Sequence, residues 1–227
     1  MRVPNYKWAT CLNINDGIVH GVPRNYALKA NDVLSIDIGL YFKGFNTDMC
    51  TTLCMQSVEA RSTKSPDTIR YGAGEIRKIK EIERFLKTGR EALEKAKERV
   101  KAGNRVGHIS QAIQQTVESA GFNVARTLTG HGVGRDLHEP PSIPCFLNTN
   151  LEQTPKLKQG MTLAIEVIYT MGKPELITDK NDGWTIKTKD GKISAVFEET
   201  IALLADGYLV LTKLPTEANF AKISKYG

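Results

Sequence analysis

The chain has 227 residues and a net charge of +6; 41% of its residues are hydrophobic and 25% charged. That length suits one large or two small globular domains with a real core. No apolar run approaches the roughly 20 residues of a membrane span, "MRVPNYKWAT" lacks the apolar stretch of a signal peptide, and four cysteines with no CxxC are too sparse for a disulfide scaffold, which together point to a reducing cytoplasm. The positive balance permits contact with RNA or a ribosome without requiring it.

In chain order, residues 1–56 read as β-structure: "ATCLNIN", "VLSIDIGLYF" and "NTDMCTTLCM", with turns at Asp16-Gly17, Asn31-Asp32 and Lys43-Gly44. The polar stretch "SVEARSTKSPDTIRYGAG" reads as a linker or long loop. A helix follows from about Glu75 to Ala102, with a break expected near Thr88-Gly89; its alternating acids and bases predict a solvated face. "VGHISQAIQQTVESAGF" is a second helix stopped by Gly121. Beyond it come short strands and Gly/Pro-rich loops, the clearest strands being "MTLAIEVIYT", "WTIKTKD", "ISAVFEETIALL" and "GYLVLTKL". Only the second strand-rich section is preceded by a helical pair.

Carboxylates interrupt these apolar strands. Asp37 and Asp48 flank the Lys43-Gly44 turn, Glu166 lies among Leu163, Ile165, Val167 and Ile168, and Glu198 and Glu199 lie among Val196, Phe197 and Ile201. Strand interiors disfavour Asp, and an unpaired buried carboxylate costs several kcal/mol. A surface hairpin with Asp at both ends is the bland reading of the first pair; its recurrence on later strands argues against it. No Lys or Arg stands beside these positions in the strand runs, so a pair of divalent cations is the expected counter-charge. Oxygen ligands with one imidazole suit Mn, Fe, Co or Zn. His131 and His138 lie in the Gly/Pro-rich "LTGHGVGRDLHEPPSIP", read as a loop, and His20 in "NDGIVHGVP". His108 falls in the second helix, where a surface or packing role is expected.

Together "CLNINDGIVHGVP", "IDIGLYFKGFNTD", "TGHGVGRDLHEPPSIP", "GMTLAIEV" and "DGWTIKTKDGKISAVFEETI", in that order, resemble methionine aminopeptidase of the bacterial type I class, from about Tyr6 to Leu214. The resemblance implies an α+β "pita-bread" (creatinase/aminopeptidase-like) fold: two pseudo-symmetric halves, about 1–70 and 71–227, with a curved antiparallel sheet in a single metallopeptidase catalytic domain, 1–227. It implies a dinuclear metal site held by Asp37, Asp48, His131, Glu166 and Glu198, with Asp48 and Glu198 bridging. Glu166 would also shuttle the proton, and His20 and His138 would bind the peptide and stabilise the tetrahedral intermediate. Tyr6, Cys11, Leu137 and Trp184 match positions lining or flanking a methionine pocket; on residue type alone ordinary core packing is the favoured reading of Tyr6 and Trp184. The implied reaction removes the initiator methionine from nascent chains with a small second residue.

Three positions depart from the family pattern. Val167 follows Glu166 where Pro is usual. Glu199 stands where His is usual: turned inward its charge would shift metal affinity, turned away it would not. The first half also begins late, without its helical pair. If the chain is naturally short, a polar sheet face or dimerisation is expected to compensate; otherwise the start is truncated. The competing readings are a prolidase or Xaa-Pro aminopeptidase, which shares the ligands, and a non-catalytic pita-bread module binding protein or RNA, which would be expected to lose them. A plain RNA-binding domain has no supporting motif.

Overall fold

The computed structural model describes residues 5–55 and 72–213. The linker read at 57–74 therefore lies mostly outside the described residues, although Ala73 and Gly74 are already helical.

The first half is built on β1 (Cys11–Ile14), β2 (Gly17–Val19), β3 (Val33–Phe42) and β4 (Phe45–Cys54). β3 and β4 form a hairpin of ten registered pairs closed by Lys43 and Gly44, whose φ values of 47° and 89° give the turn that matches strand twist. Two helices follow, α1 (Ala73–Lys97) and α2 (Val106–Ser119). The second half continues with β5 (Asn123–Val124), β6 (Thr129–Gly132), β7 (Glu139–Pro144), a 3-10 turn at Leu151–Gln153, β8 (Thr162–Thr170), β9 (Leu176–Thr178), β10 (Ile186–Thr188), β11 (Ser194–Leu204) and β12 (Gly207–Val210).

One sheet runs in the order β1-β3-β4-β11-β8-β6-β7, with β12 along β11 and β5 along β8; β2-β10-β9 form a smaller second sheet. All registered pairings of named strands are antiparallel. The two long central pairs, β3–β4 and β11–β8, stand side by side. Every carboxylate singled out above falls on one of these four strands.

α1 is not broken at Thr88-Gly89. Thr88 is buried there and its Oγ1 donates a 2.9 Å hydrogen bond back to Arg84 O, so its hydroxyl is satisfied within the helix. Gly89 serves packing: a Cβ there would collide with the Tyr169 hydroxyl and the Phe197 ring. The helix ends at Lys97, before the expected Ala102; the chain tightens there into i→i−3 bonds, Arg99 N to Ala96 O and Val100 N to Lys97 O, and Val100 is fully buried. α2 ends as expected, with Gly121 at φ 82°. Its His108 is a helix cap, accepting from Arg105 N at 3.0 Å through Nδ1.

The core lies between the helices and the β8–β11 face. Phe85, Phe122 and Tyr169 pack with centroids 4.3 and 4.9 Å from Phe85, and the Tyr169 hydroxyl donates to Phe85 O at 2.5 Å. Each large side chain buried here stabilises the fold by about 1.5–3 kcal/mol. The corresponding face of the β3–β4 hairpin is bare among the described residues: Leu40 is 61% and Phe42 66% exposed, with Ile38 and Phe45 beside them. No helix of the described residues is long and apolar enough to cross a membrane.

Candidate metal centre

A single row of residues crosses the sheet. Cys11 stands opposite Asp37, Asp37 opposite Cys50, Cys50 opposite Glu198, and Glu198 opposite Glu166. Directly opposed residues share a face, so Asp37, Glu198 and Glu166 emerge together. Asp48 is two residues from Cys50 and hence on that face too, opposite Gly39. Asp37 and Asp48 are thus diagonal neighbours, two positions out of register.

His131 joins from β6, opposite Ala164 and therefore one pleat from Glu166. It lies in a strand, not the loop that its glycines suggested. Gly130 and Gly132 are there for close strand approach: a Cβ on either would strike the Ala164 or Pro140 carbonyl oxygen. His131 Nδ1 lies 2.8 Å from Gly132 O, which makes Nδ1 the protonated nitrogen and leaves the Nε2 lone pair free. Nε2 is 3.5 Å from Glu166 Oε1 and 3.9 Å from Asp48 Oδ2.

The ligand atoms form overlapping groups, each spanning no more than 4.8 Å: Asp37 with Asp48 and Glu198, His131 with Glu166 and Glu198, and Asp48 with His131 and His138. Glu198, Asp48 and His131 each belong to two of them, so the groups run into one another as a continuous cage of ligands for divalent cations.

The electrostatics call for those cations. Burial first, then Asp48, pushes the Asp37 carboxyl up to about 7. Burial likewise raises Asp48, and burial followed by the surrounding carboxylates raises Glu166 and Glu198 well above the usual range. Among the described residues no Lys or Arg pairs with any of the four. Glu198 Oε1 is buried without a hydrogen-bond partner. An orphaned carboxylate oxygen, three further carboxylates and a free imidazole nitrogen fit divalent ions bound by oxygen and nitrogen.

The mouth of the cage carries the other residues singled out in the sequence. The His138 ring meets His131 edge-on at 4.4 Å. His20 has a left-handed backbone (φ 57°), a strained setting typical of functional positions. Both present an edge to solvent, yet crowding lowers their pKa: by burial then His138 for His20, and by burial then His131 for His138. Burial lowers His131 also. A Cβ on Gly39 would sit 3.6 Å from Leu137 Cδ1 and 3.7 Å from Asp48 Oδ1, which puts Leu137 at the rim. Tyr6 packs edge-on to Trp184 at 5.3 Å and to Trp8 at 5.1 Å, a half-buried wall outside the main core. Burial and Asp37 push the Cys11 thiol up to about 12, so it stays neutral.

Residues 1–204 match the family description Metallopeptidase family M24. The chain belongs to metallopeptidase family M24. This M24 chain is 38% identical to a methionine aminopeptidase of Clostridium perfringens over 202 residues, 89% of this chain and 72% of that one. It is 37% identical to the methionine aminopeptidase of Aquifex aeolicus, over 92% of this chain and 73% of the relative. The crystal structure of the Thermotoga maritima methionine aminopeptidase superposes with a TM-score of 0.77 at 37% identity, covering 92% of this chain and 75% of that one. Prolidase from Pyrococcus furiosus shares the fold at 20% identity, with a TM-score of 0.63. The M24 chain thus has the pita-bread fold, and its likeness to methionine aminopeptidases exceeds its likeness to that prolidase.

The two departures near the cage now have physical readings. Glu199 turns to the opposite face, opposite Ile165, and adds no charge to the cage. Val167 is fully buried in the ladder opposite Phe197, a regular strand position. Two supporting residues escaped the sequence reading. Thr200 Oγ1 accepts from Asp48 N at 2.8 Å and donates to Asp48 O at 2.7 Å; a lone Thr in an apolar strand carries no signal of that. Lys97, one of many charges on α1, is buried against Glu199.

Proposed function

We propose that this chain is a metal-dependent methionyl aminopeptidase that removes the N-terminal methionine from peptides and nascent proteins whose second residue is small. The shared-carboxylate cage carries the reading, because four largely buried acids gathered round His131 have no Lys or Arg as counter-charge among the described residues. Asp37, Asp48, His131, Glu166 and Glu198 would hold two divalent ions, drawn from Mn, Fe, Co or Zn, with Asp48 and Glu198 shared. Bound there, the ions would supply an acidified water and polarise the peptide carbonyl.

The protein's own groups do the rest. Glu166, with its raised affinity for a proton, takes one at the cage and passes it to the leaving amine. His138, neutral near pH 7, donates a hydrogen bond where negative charge develops on the carbonyl oxygen. His20 holds the peptide backbone. Tyr6, Cys11, Leu137 and Trp184 receive the methionine side chain, an apolar, polarisable setting suited to a thioether. The retained ligand set argues against a non-catalytic module.

We read the whole chain as one catalytic domain acting in the cytoplasm, a setting its four unpaired cysteines suit. No specific nucleic-acid partner is proposed, and the net positive charge suits docking near a ribosome. The apolar back of the β3–β4 hairpin, bare among the described residues, suits a second copy of the chain, since such a patch exceeds what scattered surface apolar residues require.

The deciding experiment is methionine release from Met-Ala-Ser by metal-stripped protein after adding Mn or Co, with Asp48→Ala alongside and an Ala-Pro peptide as comparison. Release that needs both metal and Asp48, with the Ala-Pro peptide spared, is the expected result. Folded protein that takes up no metal would overturn the reading.

A further inference from the structure

Glu198 and Glu199 are adjacent on β11, so they leave the sheet on opposite faces. Glu198 enters the cage. Glu199 turns towards α1, where its Oε2 accepts from Lys97 Nζ at 2.7 Å. Lys97 is the last residue of α1 and also donates to Glu94 Oε1 at 2.6 Å. Its side chain is 6% exposed, and it is the one charged residue among those that α1 buries. Burial works against its charge, but hydrogen bonds to Glu199 and Glu94 outweigh that and raise its pKa. The C-terminal end of α1 favours a cation as well.

A desolvated lysine is costly, and a solvated one would serve a surface helix equally well. The position of the pair suggests what it does. Glu198 Oε1 has no hydrogen bond, so that end of its side chain gains no aim from its own contacts. Its aim must come largely from the backbone of β11. On the β8 side β11 is registered over nine pairs, Glu198–Glu166 among them, but on the β4 side only by the pair Glu198–Cys50, helped by the Thr200–Asp48 and Thr52–Val196 side-chain bonds. On the helix face, one peptide unit from Glu198, the Lys97–Glu199 pair ties the strand to α1.

We propose that Lys97, acting through Glu199, is a positioning residue for the shared carboxylate Glu198: it fixes β11 from behind so that Glu198 stays aimed between the two metal positions. This rests on the metal cage proposed above. Supporting partners of metal ligands typically affect metal affinity about 10- to 100-fold.

The test is calorimetric titration of metal-stripped full-length protein with Mn, together with the melting temperature of the metal-free form, for the parent, Lys97→Met, Lys97→Arg and the double variant Lys97→Met/Glu199→Met. The double variant leaves no buried charge unpaired, so it keeps the test meaningful if the single Met variant fails to fold. Expected are a metal-free melting temperature near the parent's and Mn binding about 10- to 100-fold weaker in the double variant, with affinity recovered in Lys97→Arg. Parent-like Mn affinity in the double variant would overturn the proposal and leave the pair as a helix-to-sheet clamp. A parent that takes up no Mn would instead overturn the cage, and this inference with it.

Discussion

Glu198 stands directly opposite Glu166 across the β8–β11 ladder, two carboxylates on one face with His131 Nε2 3.5 Å from the second. Like charges so placed destabilise a sheet unless protons or cations intervene. The metal-free and metal-loaded proteins should therefore respond oppositely to pH. In the metal-free fold burial pushes the Asp37 carboxyl up to about 7 and also raises Asp48, Glu166 and Glu198, so at these four groups the native state binds more protons than the unfolded chain. Their contribution to stability falls as pH rises from about 4 towards 7 and above, and it outweighs the opposite contribution of His20, His131 and His138, whose lowered pKa values favour the native state as pH rises past the usual histidine range. Cations need the ionised ligands, so the stabilisation by Mn grows over the same range. Melting temperatures from pH 4 to 8, with and without Mn, check both slopes; a metal-free melting temperature that rises over that range contradicts the account.

Thr200 is fully buried and bonded to both backbone polar groups of Asp48. Thr200→Val keeps the shape and strands those two groups. The expected cost is about 1–3 kcal/mol of stability, with Mn affinity lowered because Asp48 loses its support. Chemical denaturation and metal titration measure the two effects separately.

In the proposed mechanism His138 acts at the mouth and not as a metal ligand, so its loss should spare the cage. His138→Ala is expected to lower kcat by about 100- to 1,000-fold while two Mn ions still bind. A variant that loses metal and activity together would make His138 a ligand, for which its place beside Asp48 and His131 leaves room.

Gly89 faces the Tyr169 hydroxyl and the Phe197 ring across the helix–sheet contact. Gly89→Ala improves helix propensity and yet should destabilise by about 1–3 kcal/mol, because overpacking outweighs it. An unchanged melting temperature would mean the core can shift.

Leu40 and Phe42 share the back of the hairpin, bare among the described residues and away from Asp37. Replacing both with Lys should abolish self-association in light scattering without changing metal uptake. A parent that is a clean monomer removes the dimer reading.

Much of the fold was legible because its signals are local. The β3–β4 hairpin announces itself through alternating apolar residues and a Lys-Gly turn, and α2 through its apolar spacing and Gly121. The carboxylates, though not which of Glu198 and Glu199 takes part, were legible for a related reason: a carboxylate inside an apolar strand costs so much that its presence signals a compensating charge. His131 was harder. Its flanking glycines read as loop, and only the neighbouring strands, approaching close enough to exclude a Cβ, reveal them as β6.

What the sequence determined by itself was the kind of chemistry: the residue types, their order and their strand settings specify buried acids in need of divalent cations. What only the tertiary structure decided was direction. Glu198 and Glu199 are equivalent on paper, and strand alternation requires that they part without saying which enters the cage; the register with Glu166 on one face and the reach of Lys97 on the other settle it. Lys97 itself looks like every other charge on α1, because burial is a property of the surface a helix meets and not of the residue that meets it.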